Sequence, residues 1–180
     1  MIYEPREDSF LLEKAVRRFS KKRKVLEIGC GSGTQLEAAR ASGALEVLGV
    51  DSDAESVEFC REKGLNVIES NLFKNVEGKF NLIIFNPPYL PSDEREDYES
   101  SLATSGGKKG DEIILRFLKE VGNYLDDDGI ILLVVSSLTP IERIEKILSE
   151  QNFEKEVVVS ENFFMEKLEV WVIREKIKSV

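Results

Sequence analysis

The chain has 180 residues, enough for one domain with a real core and too short for two, so residues 1–180 are expected to form a single domain. With 42% hydrophobic and 33% charged residues it reads as an ordinary globular protein; no run reaches the roughly 18 apolar residues of a membrane span, and the charged start from Met1 to Asp8 is unlike a secretion leader, so a cytoplasmic location is expected. It holds no histidine and carries a net charge of −9, which excludes Ser-His and Cys-His nucleophile pairs and His-ligated metal sites and opposes direct binding to nucleic acid, whose affinity rests on neutralised phosphates.

Ser9 to Phe19 sets Phe10, Leu11, Leu12, Ala15, Val16 and Phe19 among charges at helical spacing, an amphipathic helix led in by Tyr3-Glu4-Pro5. The basic run Arg17, Arg18, Lys21, Lys22, Arg23 and Lys24 reads as a solvated helix end and loop. Val25 to Ile28 is a short strand running into Gly29-Cys30-Gly31-Ser32-Gly33, and Thr34 to Ala41 is a helix closed by Gly43. A second strand, Glu46 to Val50, ends at Asp51; Asp53 then caps a helix from Ala54 to Lys63 that stops at Gly64. Leu65 to Glu69 is the third strand, followed by Asn71-Leu72-Phe73, and Phe80 to Phe85 is the fourth. Cys30 and Cys60 match neither a metal nor a redox spacing and suit a reducing compartment.

Beyond an acidic stretch, Ser92 to Ser101, and the glycine-rich Gly106-Gly107-Lys108-Lys109-Gly110, the pattern predicts a helix from Asp111 to Leu125. Asp126-Asp127-Asp128-Gly129 lacks the spacing of a calcium loop and reads as a turn before the most hydrophobic strand, Ile130 to Val135. Thr139-Pro140-Ile141-Glu142 combines an N-cap, a proline at the first helical position and a capping-box glutamate, opening a helix to about Gln151. Two closing strands, Glu156 to Ser160 and Leu168 to Arg174, are near enough in sequence to be antiparallel neighbours. Strands alternating with helices, several of them continuously apolar, predict an α/β fold with a doubly wound, mostly parallel sheet covered on both faces. Ligands in such sheets bind outside the carboxyl ends of the strands.

The loops after the first three strands carry a cofactor pattern. Glycines at 29, 31 and 33 permit positive φ and close approach of a ligand. A dinucleotide fingerprint would need its third glycine where Thr34 stands, so NAD is disfavoured. Glu27 would repel a pyrophosphate but suits the ammonium of an amino acid. Asp51 is placed to accept ribose hydroxyls, and Asn71-Leu72 offers an acceptor and an apolar face to a purine. Singly, these are also what ordinary strand-end acids and a turn former look like; in this order they point to S-adenosylmethionine. After the fourth strand, Asn86-Pro87-Pro88-Tyr89 is either a plain turn or a stiff, acceptor-rich loop able to grip an –NH2 group, since two prolines fix φ and remove two donors.

On these residues the chain resembles the class I methyltransferases, and more closely the HemK family of protein glutamine N5-methyltransferases. The likeness is strongest in Tyr3-Glu4-Pro5-Arg6-Glu7-Asp8-Ser9-Phe10-Leu11-Leu12, Glu27-Ile28-Gly29-Cys30-Gly31-Ser32-Gly33, Asn86-Pro87-Pro88-Tyr89 and Gly106-Gly107-Lys108-Lys109-Gly110. The first and last of these resemble the short archaeal and eukaryotic branch. The resemblance implies a Rossmann-like, seven-stranded sheet with an antiparallel last strand, and S-adenosylmethionine as cofactor. It implies that Ser9, Glu27, Gly29, Gly31, Asp51, Asn71, Leu72 and Asn86 contact the cofactor, and that Asn86, Pro87, Pro88 and Tyr89 hold the glutamine, with Asn86, Pro87 and Tyr89 as the catalytic group. It further implies a substrate, the glutamine of the Gly-Gly-Gln loop of class I peptide release factors, and a small zinc-containing activator protein bound as a heterodimer at an exposed edge strand. The chain departs from the family at Asn71, often an acid there, and at Lys109, often Asp or Asn.

The Asn86 side-chain oxygen and the Pro87 carbonyl are expected to accept the two amide N–H bonds of the glutamine while Tyr89 packs on its plane, so that positioning is the main catalytic effect. The acidic residues Asp93, Glu94, Glu96, Asp97 and Glu99 read as a solvated loop, though they could attract a basic substrate. The third strand is expected at a sheet edge, where Leu65, Val67 and Ile68 would leave apolar area and unpaired backbone for a partner's strand. Two other readings stand beside this one. One makes the acceptor a nucleic-acid base (adenine N6 or guanine N2) or a protein lysine; the other is a non-catalytic cofactor-binding scaffold, which would have no need of Asn86 and Tyr89.

Overall fold

The computed structural model describes residues 3–89 and 110–177; the expectations for Ser92 to Ser101 and for Gly106 to Lys109 lie outside them. Seven strands, β1 (Lys24–Ile28), β2 (Glu46–Asp51), β3 (Val67–Glu69), β4 (Phe80–Phe85), β5 (Leu125–Ser136), β6 (Phe153–Phe163) and β7 (Glu166–Glu175), form one sheet in the order β3-β2-β1-β4-β5-β7-β6. The first five are mutually parallel, and β7 runs antiparallel to both β5 and β6. Strand order reverses between β1 and β4, so the loops after these two neighbours open the crevice where sheets of this kind bind ligands.

Period-two alternation gives each strand one side chain for each face. Ile83 and Phe85 of β4, with Ile131, Leu133 and Val135 of β5, face one layer formed by α4 (Glu112–Glu120), the 3-10 turn Val121–Tyr124 and α5 (Ile141–Glu150). Leu82 and Ile84, with Ile130, Leu132 and Val134, face the other layer, into which α1 (Glu7–Phe19) sinks Leu11, Leu12, Ala15 and Val16. That layer also takes Ala38 and Ala39 of α2 (Thr34–Ala41). A third cluster joins Leu36 of α2 and Cys60 of α3 (Ala54–Glu62) to Cys30, Leu65 and Val67. Continuous apolar strands are what a sheet covered on both sides requires.

Five expectations are corrected. Leu65 and Val67 do not leave apolar area at the edge: β3 is the edge strand, but these side chains are 5% and 2% exposed because they turn inward against α3. The helix expected to reach Leu125 ends at Glu120, and Leu125 already pairs with Phe80. The expected turn Asp126–Gly129 lies inside β5, as an irregularity between the Phe80–Leu125 and Leu82–Ile130 pairs that leaves three acids in solvent. Thr139 does not cap α5; its hydroxyl donates to the Ser136 carbonyl at 2.6 Å, and Pro140 occupies the N-cap position. The closing strands are also longer than expected, since β6 and β7 pair from Phe153–Glu175 to Phe163–Glu166.

Candidate active site

The loop after β1 turns by three left-handed glycines, Gly29, Gly31 and Gly33, at φ +67°, +48° and +79°, a conformation that costs an L-residue roughly 1–2 kcal/mol. A Cβ on Gly33 would lie 2.5 Å from Leu65 Cδ1 and 3.0 Å from Cys60 Sγ, so this glycine is needed for space as well as for φ. The loop is pinned to β2: the N–H groups of Gly29 and Cys30 both donate to the Val50 carbonyl, at 2.8 and 3.0 Å. Asp51, at the end of β2, accepts from Gly31 N–H (2.9 Å) with one oxygen and from Asp53 N–H (3.0 Å) with the other. Each oxygen keeps acceptor capacity for a hydroxyl. Burial raises the Asp51 carboxyl above its usual range despite these bonds.

Glu27, one residue before the end of β1, is 3% exposed and its Oε2 is buried with no hydrogen-bond partner among the described residues. Burial first, then the neighbouring Cys60 and Asp51, push its carboxyl well above the ordinary value. An unpaired buried acid is costly unless a donor arrives. The open acceptor therefore fits a cationic group such as an α-ammonium, and the acid repels a phosphate.

After β4 the chain enters Asn86-Pro87-Pro88-Tyr89. Asn86 Nδ2 donates to Asp8 Oδ2 at 2.8 Å, across 78 residues of sequence. Asp8, 6% exposed, also accepts from Tyr3 Oη at 2.9 Å and from Ser9 N–H at 2.8 Å. Every group around Asp8 donates, so Asn86 must turn its nitrogen toward it and its oxygen away. That oxygen, Oδ1, is buried and lacks a partner among the described residues. Tyr89 is half-buried against the cluster that holds Leu11 and Leu12, and burial, reinforced by the charges of Asp8 and Glu166, raises its phenol.

Ser9 is buried on the first turn of α1, and its carbonyl accepts from Gln35 Nε2 at 2.9 Å. That bond ties α1 to the first turn of α2, and Gln35 Oε1 is itself buried without a partner among the described residues. The structure thus brings Ser9, Glu27, Gly29, Gly31, Asp51 and Asn86 to one crevice edge. Asn71 and Leu72, after β3, are arranged differently: the Asn71 oxygen accepts from Arg116 Nη2 at 3.1 Å. Leu72, at φ +49°, is 6% exposed with its side chain in the main core. Asp8, Tyr3 and Gln35 are site residues that reading along the chain missed. Asp8 and Tyr3 lay in the quoted opening motif, whereas nothing in the local pattern marked Gln35. Among the described residues, no group of three or more His, Cys, Asp or Glu side chains could hold a metal ion.

The model of the methyltransferase small domain family matches residues 8–165. A Methanocaldococcus jannaschii protein that carries the provisional name protein N5-glutamine methyltransferase is 41% identical over 164 residues, covering 87% of this chain and 83% of that one. The eRF1 methyltransferase catalytic subunit mtq2 of Schizosaccharomyces pombe is 28% identical over 84% of this chain and 80% of its own. A release factor glutamine methyltransferase of Fusobacterium nucleatum is 30% identical, but this chain spans 48% of its length. Among solved structures, the E. cuniculi Mtq2–Trm112 complex shares the fold with a TM-score of 0.80 at 23% identity, covering 97% of this chain and 99% of that one. Together with the glycine loop and the asparagine held by Asp8, these likenesses establish that the chain belongs to the methyltransferase small domain family and, within it, to the HemK family of protein N5-glutamine methyltransferases.

Proposed function

We propose that the protein transfers a methyl group from S-adenosylmethionine to the side-chain amide nitrogen of the glutamine in the Gly-Gly-Gln motif of a class I peptide release factor. The observation that carries this reading is the buried, unpartnered Asn86 Oδ1, an acceptor oriented by Asp8. Glu27, Asp51, Ser9 and the backbone of Gly29 and Gly31 hold the cofactor, with Asn71 and the backbone of Leu72 beside its base, since the Leu72 side chain is taken up by the core; when bound it supplies a methyl group made electrophilic by a sulfonium. The amide nitrogen of glutamine is a weak nucleophile because its lone pair is shared with the carbonyl. Asn86 Oδ1 and the Pro87 carbonyl accept its two N–H bonds, fixing the nitrogen and stabilising positive charge as it develops there. Positioning of this kind can supply about 7–11 kcal/mol, so no basic side chain is required before transfer; the nitrogen gains the methyl as the S–CH3 bond breaks and then sheds one proton to solvent. Pro88 stiffens the loop, and Tyr89 packs against the amide plane.

The relatives' names support the release factor as substrate, and the Mtq2–Trm112 complex supports a small partner protein. We place such an activator, zinc-containing and bound as a heterodimer in the cytoplasm, at the β3 edge. With Leu65 and Val67 buried, it would add to the strand through backbone groups and the half-buried Ile68. The test is to offer methyl-labelled S-adenosylmethionine with a class I release factor, with and without the activator, and to locate the label by mass spectrometry. Label on the Gly-Gly-Gln glutamine is the expected result; label on a lysine or a nucleic-acid base, or none under either condition, overturns the reading.

A further inference from the structure

Seven large apolar side chains are exposed among the described residues, and four of them, Phe10, Leu138, Phe164 and Met165, lie at the catalytic edge of the sheet. Phe164 and Met165, 94% and 81% exposed, form the two-residue tip of the β6–β7 hairpin. The tip is anchored to the end of β5: Ser136 Oγ donates to Glu166 Oε1 at 2.6 Å, Ser137 N–H to the Lys167 carbonyl at 2.9 Å, and Lys167 N–H to Ser137 Oγ at 2.9 Å. The exposed Lys14–Glu161 ion pair, 3.6 Å, spans α1 and β6. Phe10 lies one helical turn, about 5.4 Å, nearer that edge than Lys14. Phe163 packs on the same cluster as Tyr89.

The tip is an uneconomical choice of residues for a turn. Two-residue hairpins favour Asn-Gly or Gly-containing pairs, because they need positive φ. Here the residue at φ +62° is Met165, and both tip side chains are apolar in solvent. Backbone strain that persists at an exposed position is a mark of function. Acids stand near it: Glu166 follows the tip directly, Glu161 precedes it in its pair with Lys14, and the charges of Glu166 and Glu7 bear on the Tyr89 phenol.

We infer that the β6–β7 hairpin tip, with Phe10 and Leu138, is a docking surface for the protein substrate, gripping an apolar patch with basic flanks on the domain that carries the glutamine. The inference rests on the proposed function, because it takes the occupant to be that same protein. Its warrant is continuity: a protein loop reaching Asn86 must bring its parent surface over the rim shared by Tyr89, Phe163 and the tip. A small glutamine peptide would fill the crevice and leave the hairpin untouched.

The experiment compares Phe164→Ser/Met165→Gly with wild type on a full-length class I release factor and on a short peptide spanning its Gly-Gly-Gln loop. Glycine relieves the φ strain, so the variant folds at least as well as wild type, and its thermal midpoint reports this. The expected result is a KM for the whole factor raised about tenfold or more, with kcat and transfer to the peptide unchanged. An unchanged KM for the whole factor overturns the inference. So does a KM effect that follows loss of a dimer in sedimentation, because the occupant is then a second copy of this chain. A wild type that transfers no methyl to either substrate, with the activator present or absent, instead overturns the proposed function itself.

Discussion

An asparagine can meet a ligand with its oxygen or its nitrogen, and half a turn of the amide exchanges acceptor for donor. Asp8 settles the choice for Asn86, because a carboxylate can only accept. Asp8→Asn is expected to lower kcat by about 10²-fold, the scale of a small misplacement of the reacting groups, with cofactor affinity within a few-fold; an unchanged kcat in the folded fraction would mean that Asp8 serves structure alone. That Asn86 opens a rigid, donor-poor loop was legible in the sequence, since two prolines follow it. Its orientation was not, because Asp8 is 78 residues away and only tertiary folding joins them. Glu27 has a pH consequence. Its folded-state value lies well above the ordinary 4.5, so as pH rises past 4.5 the unfolded chain releases the proton first and the ligand-free protein loses stability until the folded value is passed. Glu27→Gln should therefore raise the thermal midpoint more at pH 8 than at pH 5 while weakening cofactor binding. Equal midpoint gains at both pH values would contradict a buried charge at this position.

The loop from Gly29 to Gly33 was readable from its alternate glycines, and the structure gives all three positive φ. Gly33→Ala is expected to destabilise by at least about 1–2 kcal/mol and to loosen the cofactor crevice, since its methyl meets Leu65 as well as a strained φ; a midpoint within a degree of wild type would refute both causes. Cys30 and Cys60 showed no pairing signal in sequence, yet α3 packs on the loop, burying both thiols in one cluster, where Cys60 Sγ donates to the Gly31 carbonyl at 3.3 Å. The Asp126–Gly129 run failed as a turn for a related reason. Polar composition reports exposure, and an irregular, solvent-facing stretch of β5 is as exposed as a turn. Thr139 carried a capping signature, but its hydroxyl found the Ser136 carbonyl first. Such competition between local partners is invisible to spacing.

For the molecule as a whole, alternation of strands and helices predicted the doubly wound sheet, and the sheet order places the loops after β1 and β4 side by side. The residues that line one crevice are scattered from Tyr3 to Tyr89, so their meeting is a property of topology. The net charge of −9, with acids around the catalytic rim, suits a substrate with a basic surface. Raising salt to about 1 M, where screening acts within roughly 3 Å, should increase the KM for a protein substrate several-fold; a KM indifferent to salt would remove electrostatics from recognition. The account stands most directly on the Asn86 oxygen as acceptor of the substrate amide. Equilibrium cofactor binding and single-turnover methyl transfer, measured on the same preparation of Asn86→Ala, test it. The prediction is transfer reduced by about 10²- to 10³-fold, the usual effect of deleting one preorganised hydrogen bond to a transition state, with cofactor affinity within a few-fold of wild type; transfer at the wild-type rate would contradict it.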